Sequence, residues 1–194
     1  AGFALLFSFL AAAQNYGPIP PTTVTAAGAA PIPSAPPSTA GHVDVAASGT
    51  FAFSPNNFTA ANGTIVTFYF PNAGIDHSVT QSSFADPCTP LAATANSSAG
   101  FDSGLTAGDQ FSINITDDTK PIWFHCKQVT HCGLGMVGSI NAPTAGTNTF
   151  ANFMAAAKAI GAQGEPTETD NGPVLSGVNA IAAAAPSNTA TPSN

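Results

Sequence analysis

The stretch from Pro121 to Asn141, PIWFHCKQVTHCGLGMVGSIN, limits what this chain can fold into more than any other. It opens on Pro121 to Cys126, a run rich in β-branched and aromatic residues that predicts a strand. It then makes a short loop holding Gly133 and Gly135 and re-enters a strand at Met136. On strand parity Ile122, Phe124 and Cys126 share a face directed into the interior, and His125 points the other way. Cys126, His131 and Met136 follow a C-x4-H-x4-M spacing, which presents a thiolate, an imidazole and a thioether from one strand end and one loop. Soft and borderline donors of this kind favour copper, and two histidines, one cysteine and a weak methionine make a blue-copper electron-transfer site.

The second histidine has to come from elsewhere. His77 is the candidate, at the start of a predicted strand that follows a Gly-containing turn. His42 lies at the mouth of the first strand and is read as structural or solvated, and parity leaves His125 outside the ligand set. Each residue alone has a plainer reading: Cys126 as a buried thiol, His131 as a loop histidine, His77 as a core histidine, Met136 as core filler. Their mutual spacing is what turns the odds toward a metal.

The rest of the centre predicts the frame such a site needs. His42 to Ala46 alternates, Thr50 to Phe53 follows a Ser48-Gly49 turn, and Thr64 to Phe70 is strongly β-prone. His77 to Gln81 and Gln110 to Ile115 add two more strands, the second with Phe111, Ile113 and Ile115 facing one way. About seven short strands punctuated by turns, with no helical period, predict an all-β fold, a β-sandwich. Between two of them runs a long polar segment, Ser82 to Gly108, that needs a tether.

The chain contains three cysteines, and in an oxidising compartment two should pair while the third needs another job. Pairing Cys88 with Cys132 leaves Cys126 free and fastens the long segment beside His131. A disulfide through Cys126 would remove the thiolate and the copper reading with it.

Outside the centre, composition changes. Residues 1–13 read as part of a signal peptide ending in small residues, residues 14–40 as a Pro-rich linker, and residues 41–143 as the sandwich domain. Residues 144–162 are expected to carry a short C-terminal helix, with Phe150, Phe153, Met154 and Ala157 on one face and Gly161 as its stop. Residues 163–194 are expected to form a disordered tail. The Pro/Ala/Ser/Thr-rich ends and sequons at Asn57, Asn62, Asn96 and Asn114 fit export and glycosylation. A net charge of −7 with only Lys120, Lys127 and Lys158 as cations excludes tracking of a phosphate backbone, so no nucleic-acid partner is expected. The apolar N-terminal run is too short to suggest a transmembrane span. A monomer is expected.

HSVTQSSFADPCTP (77–90), FDSG (101–104) and the segment 121–141 resemble the cupredoxin superfamily, in particular its phytocyanin-like and secreted fungal members. The resemblance covers about residues 42–142. It implies a Greek-key β-sandwich with one type 1 copper held by His77, Cys126, His131 and Met136, a Cys88–Cys132 disulfide, and a secreted or cell-surface electron carrier, often glycolipid-anchored, with a redox partner the sequence does not name. Asp76 departs from the asparagine frequent before the first histidine, and His125 from a tyrosine usual in fungal members. Copper buffering without redox turnover, or a wall protein without it, is the alternative function. An enzyme is the weakest class: the chain's four histidines fall short of a multicopper oxidase, and no acid–base pair or nucleophile stands out.

Overall fold

A computed structural model describes residues 41–72 and 74–183. The expected signal segment, the Pro-rich linker and the last part of the expected tail, residues 184–194, lie outside the described residues.

Strands β1 (His42–Val45), β2 (Phe53–Ser54), β4 (Ile65–Tyr69), β6 (Gln110–Ile115) and β9 (Ala180–Ala183) form a five-stranded sheet in the order β2-β1-β4-β6-β9. Strands β3 (Asn57–Phe58), β8 (Val137–Ile140), β7 (Ile122–His125) and β5 (Thr80–Ser82) form the second sheet in the order β3-β8-β7-β5. The pairs β1–β4 and β3–β8 are parallel, and the other pairs are antiparallel. The all-β sandwich expected from the sequence is therefore present.

The alternation read from the sequence decides which faces meet. Val43, Val45, Val66, Phe68, Ile113 and Ile115 from the first sheet pack on Ile122, Phe124 and Ile140 from the second. Phe53, Phe68 and Phe124 interlock edge to face, with centroids 5.0 to 6.3 Å apart. Such pairs add about 0.5–1.5 kcal/mol each beyond the burial of their area. Cys126 and Met136 belong to this same core and are fully buried. Two of the expected donors thus belong to the sandwich core.

Helix α1 (Phe150–Ile160) covers the outer face of the second sheet. Phe153 and Ala157 are buried and Phe150 and Met154 half-buried, which is the face expected from the sequence. Phe153 lies 4.7 Å from Trp123, whose ring points outward because strand parity places it opposite Phe124. The Thr149 side chain accepts from the Asn152 N–H at 3.3 Å and caps the start, and Gly161 at φ 68° ends the helix.

The C-terminal boundary differs from expectation. Residues 163–183 are not a free tail. They cross the sandwich, Gln81 exchanges hydrogen bonds with Val178 (2.7 and 3.0 Å), and Ala180–Ala183 adds a strand to β6. The segment lacks an apolar period because it is held by backbone pairing and acidic side chains rather than by a greasy stripe. Among the described residues no helix is long and apolar enough to cross a membrane.

Candidate metal centre

Strands β7 and β8 build the site by their pairing. The Cys126 N–H donates to the Met136 carbonyl (3.0 Å), and the Met136 N–H donates to the His131 carbonyl (2.9 Å). These two bonds close residues 126–136 into a loop with cysteine and methionine facing each other across its base. Within it, the His131 N–H donates to the Gln128 carbonyl at 3.0 Å and the Gly135 N–H to the Cys132 carbonyl at 2.7 Å. Gly135 has φ 102°, a backbone that side chains rarely adopt, and this bend delivers Met136 into the core. Gly133 is required for another reason: a Cβ there would run into the backbone of Gly161 at the end of α1.

His77 arrives from the other side. Its backbone pairs with Thr106 through bonds of 3.0 and 2.9 Å, just ahead of β5. Its Nδ1 lies 3.9 Å from Cys126 Sγ, and His131 Nδ1 lies 3.5 Å from the same sulfur. The two imidazole centroids are 4.9 Å apart, and all three donor atoms lie within 4.8 Å of one another. Both histidines are 3% exposed. Phe51, itself 42% exposed, lays its ring on His131 at 4.3 Å, so one side of that imidazole is shielded by an aromatic face.

Cys126 is the free cysteine among the described residues, and Cys88–Cys132 is a disulfide with a Cα separation of 5.7 Å. Burial pushes the Cys126 thiol up to about 11, against the pull of N–H bonds from Ser78 and Gln128. Burial likewise lowers His131 to about 4, helped by the facing His77, and lowers His77 against the charge of exposed Asp76. Two neutral imidazoles and a thiol thus face each other in a dry pocket. A cation replacing the thiol proton would relieve all three.

The donor spacing fits one borderline-soft ion. Bonds of about 2.3 Å to sulfur and about 2.0 Å to imidazole nitrogen, set at trigonal angles, separate sulfur from nitrogen by roughly 3.7 Å. The observed 3.5 and 3.9 Å bracket that value.

Of the residues expected at the site, His77, Cys126 and His131 come together. Met136 lies buried beside Cys126 in the same core and joins the loop through its backbone. His42 is elsewhere, bonded to Asp44 at 2.8 Å and stacked on Tyr69 at 4.3 Å. His125 points away from the sandwich interior as parity requires, yet it is wholly buried and bonded to Glu168 at 2.7 Å.

Several residues near the site were not anticipated. The Ser78 N–H donates to Cys126 Sγ at 3.4 Å, and Ser78 Oγ accepts from the Lys127 N–H at 2.9 Å. Lys127 is buried between Asp102 (2.6 Å) and Asp170 (2.7 Å). Burial alone would lower its pKa, but bonds to the two carboxylates outweigh that and raise it. A lysine following the cysteine in a chain that is 7% charged was the available signal.

Residues 40–142 match the model of the copper-binding proteins of the plastocyanin/azurin family. The chain is 36% identical over 135 residues to a protein of Arthroderma benhamiae named "Probable GPI-anchored cupredoxin-1", covering 70% of this chain and 68% of that one. It is 33% identical over 125 residues to an "Extracellular serine-rich protein" of the same fungus, covering 64% of this chain and 47% of that protein, about half its length. Among solved structures, a purple cupredoxin from Nitrosopumilus maritimus is similar at TM-score 0.35 and 17% identity, over 52% of this chain and 97% of that one. The match over 40–142 coincides with the sandwich that carries the thiol and both imidazoles, and the chain belongs to the copper-binding plastocyanin/azurin family, the cupredoxins.

Proposed function

We propose that this protein is a secreted electron carrier holding one type 1 copper through His77, Cys126 and His131, with Met136 as a weak fourth ligand. One observation carries the proposal: a buried, unpaired thiol has two imidazole nitrogens at 3.5 and 3.9 Å. Copper bound there supplies a one-electron couple.

The chain's own residues do the remaining work. The loop bonds between Cys126, Met136 and His131 hold the donors in one arrangement, so little needs to move when the oxidation state changes. The Ser78 N–H on the sulfur draws electron density from the thiolate and tunes the potential. Phe51 keeps water off His131. The thiol, the two rings and the methionine are buried together, which leaves no evident place for a substrate to coordinate and favours a carrier over an enzyme.

Export and surface attachment are supported by the relatives' names, by the disulfide, and by exposed sequons at Asn57, Asn62 and Asn96. Asn114 is less suited to a glycan, because it lies within β6 between two paired neighbours and its side-chain oxygen is buried.

The test is spectroscopic. Copper added to the purified protein should produce intense visible absorption from thiolate-to-copper charge transfer, and Cys126→Ser should remain colourless. Unchanged colour in that variant would refute the ligand assignment. Stopped-flow electron exchange with small redox reagents should then be fast; copper that is bound but exchanges electrons slowly would indicate storage or delivery instead.

A further inference from the structure

The segment that follows α1 touches the ligand loop at more points than a passing strand requires. Glu165 lies across His131: its Oε2 accepts from the Thr130 N–H at 2.7 Å, and its Oε1 accepts from the Gly133 N–H in a very short bond. Three residues on, Glu168 accepts from buried His125, the residue before Cys126, at 2.7 Å. Two residues further, Asp170 pairs with buried Lys127, the residue after Cys126, at 2.7 Å. Three carboxylates from one six-residue stretch thus grip the loop on both sides of the thiol ligand and on both sides of a histidine ligand. Between them stand the uncharged, exposed Pro166, Thr167 and Thr169.

The grip continues to the sulfur. Lys127 also meets Asp102 at 2.6 Å, Asp102 accepts from Thr80 Oγ1 at 3.0 Å, and Thr80 Oγ1 lies 2.9 Å from Ser78 Oγ. Because the Thr80 hydroxyl donates to Asp102, Ser78 Oγ donates to Thr80 and is free to accept from the Lys127 N–H. That chain of bonds fixes Ser78, whose own N–H points at Cys126 Sγ. Polar networks buried this deeply hold one geometry when every member is satisfied.

We propose that Glu165, Glu168 and Asp170 form a positioning strap that sets the geometry and reduction potential of the metal centre through the ligand loop. The strap rests on the metal-site reading above and adds to it: the ligands' alignment is set by residues outside the sandwich core, downstream of α1. Its carboxylates also place negative charge around the ligands, which favours the more oxidised metal. Neutralising any of them should therefore move the potential upward, a sign that loss of packing alone would not impose.

The test uses the full chain loaded with copper and the isosteric variants Glu165→Gln, Glu168→Gln and Asp170→Asn. Glu165→Gln is the sharpest, because a carboxamide has one acceptor oxygen where Thr130 and Gly133 present two N–H donors. It should raise the potential, alter the copper absorption and paramagnetic spectra, and speed copper loss to a chelator by about 10- to 100-fold, as removal of outer-shell partners of metal ligands does. The other two should raise the potential in the same direction, and Thr167→Ala, an exposed neighbour, should change nothing. Folded variants with a lower melting temperature but the wild-type potential, spectra and copper-loss rate would overturn the proposal. Should the wild-type protein take up no copper, the metal-site reading is what fails. The strap is then judged on the metal-free protein, where Glu165→Gln must accelerate amide exchange at Thr130 and Gly133, and unchanged exchange overturns it.

Discussion

Metal uptake at this site should release one proton per ion at neutral pH. The Cys126 thiol is held protonated by burial, up to about 11, so binding at pH 7 must expel its proton. Neither histidine competes, because burial lowers both, His131 to about 4. Apparent affinity should then rise about tenfold per pH unit between roughly pH 7 and 9, a gain of about 2.7 kcal/mol over that span. Calorimetric titration of the metal-free protein, repeated in buffers of different ionisation enthalpy, counts the protons directly. Zinc serves as a redox-inert companion to copper. No proton released at pH 7 would mean that the thiol is already ionised and the dry-pocket argument is wrong. Two protons would mean that a histidine is charged. Cys126→Ser should bring the count to zero.

The same shifts fix how stability varies with pH in the metal-free protein. His131 binds its proton less readily folded than unfolded, so the folded state loses ground as pH falls from 6.5 toward 4. A drop from 6.5 to about 4 corresponds to at most roughly 3 kcal/mol, and denaturant melts at pH 7 and pH 4.5 measure it; equal midpoints would contradict the burial of that ring. Removing the Cys88–Cys132 bond, which spans 44 residues, with a double Cys→Ala variant should cost about 4 kcal/mol in chemical denaturation and loosen copper, because Cys132 follows the proposed ligand His131 directly. Gly133→Ala should weaken copper retention through the clash with the Gly161 backbone, read as faster copper loss to a chelator. Phe124→Ala should cost about 3–5 kcal/mol, since it removes the ring shared by two edge-to-face contacts at the core centre, and thermal melts of the metal-free protein would read it.

Much of the centre was legible because it obeys short-range rules. Period-two alternation placed Ile122, Phe124 and Cys126 inside and His125 on the other face, and the structure divides them that way. The helix at Phe150–Ile160 declared itself through its apolar face and Gly161. The odd cysteine count, with one thiol wanted elsewhere, agreed with the observed Cys88–Cys132 bond. Where local pattern misled, geometry explains it. Thr50 to Phe53 reads as strand, yet only Phe53–Ser54 pairs, because Phe51 turns outward onto His131 instead of into the sandwich.

The segment after Gly161 shows why the remainder could not be read. Its described part has little apolar surface and no period, the composition by which disorder is recognised. Its order comes from single acids meeting unique partners: Glu165 with two loop N–H groups, Glu168 with His125, Asp170 with Lys127. Each such pair is long-range, and neither member carries a mark of the other in its own neighbourhood. The burial of Lys127 and His125 could be inferred only by asking what would satisfy them. Strand parity turned His125 out of the sandwich, where a histidine 0% exposed must find an acceptor. A buried polar residue beside a proposed metal ligand is thus a question about distant sequence, and here its answer is a carboxylate 43 residues downstream.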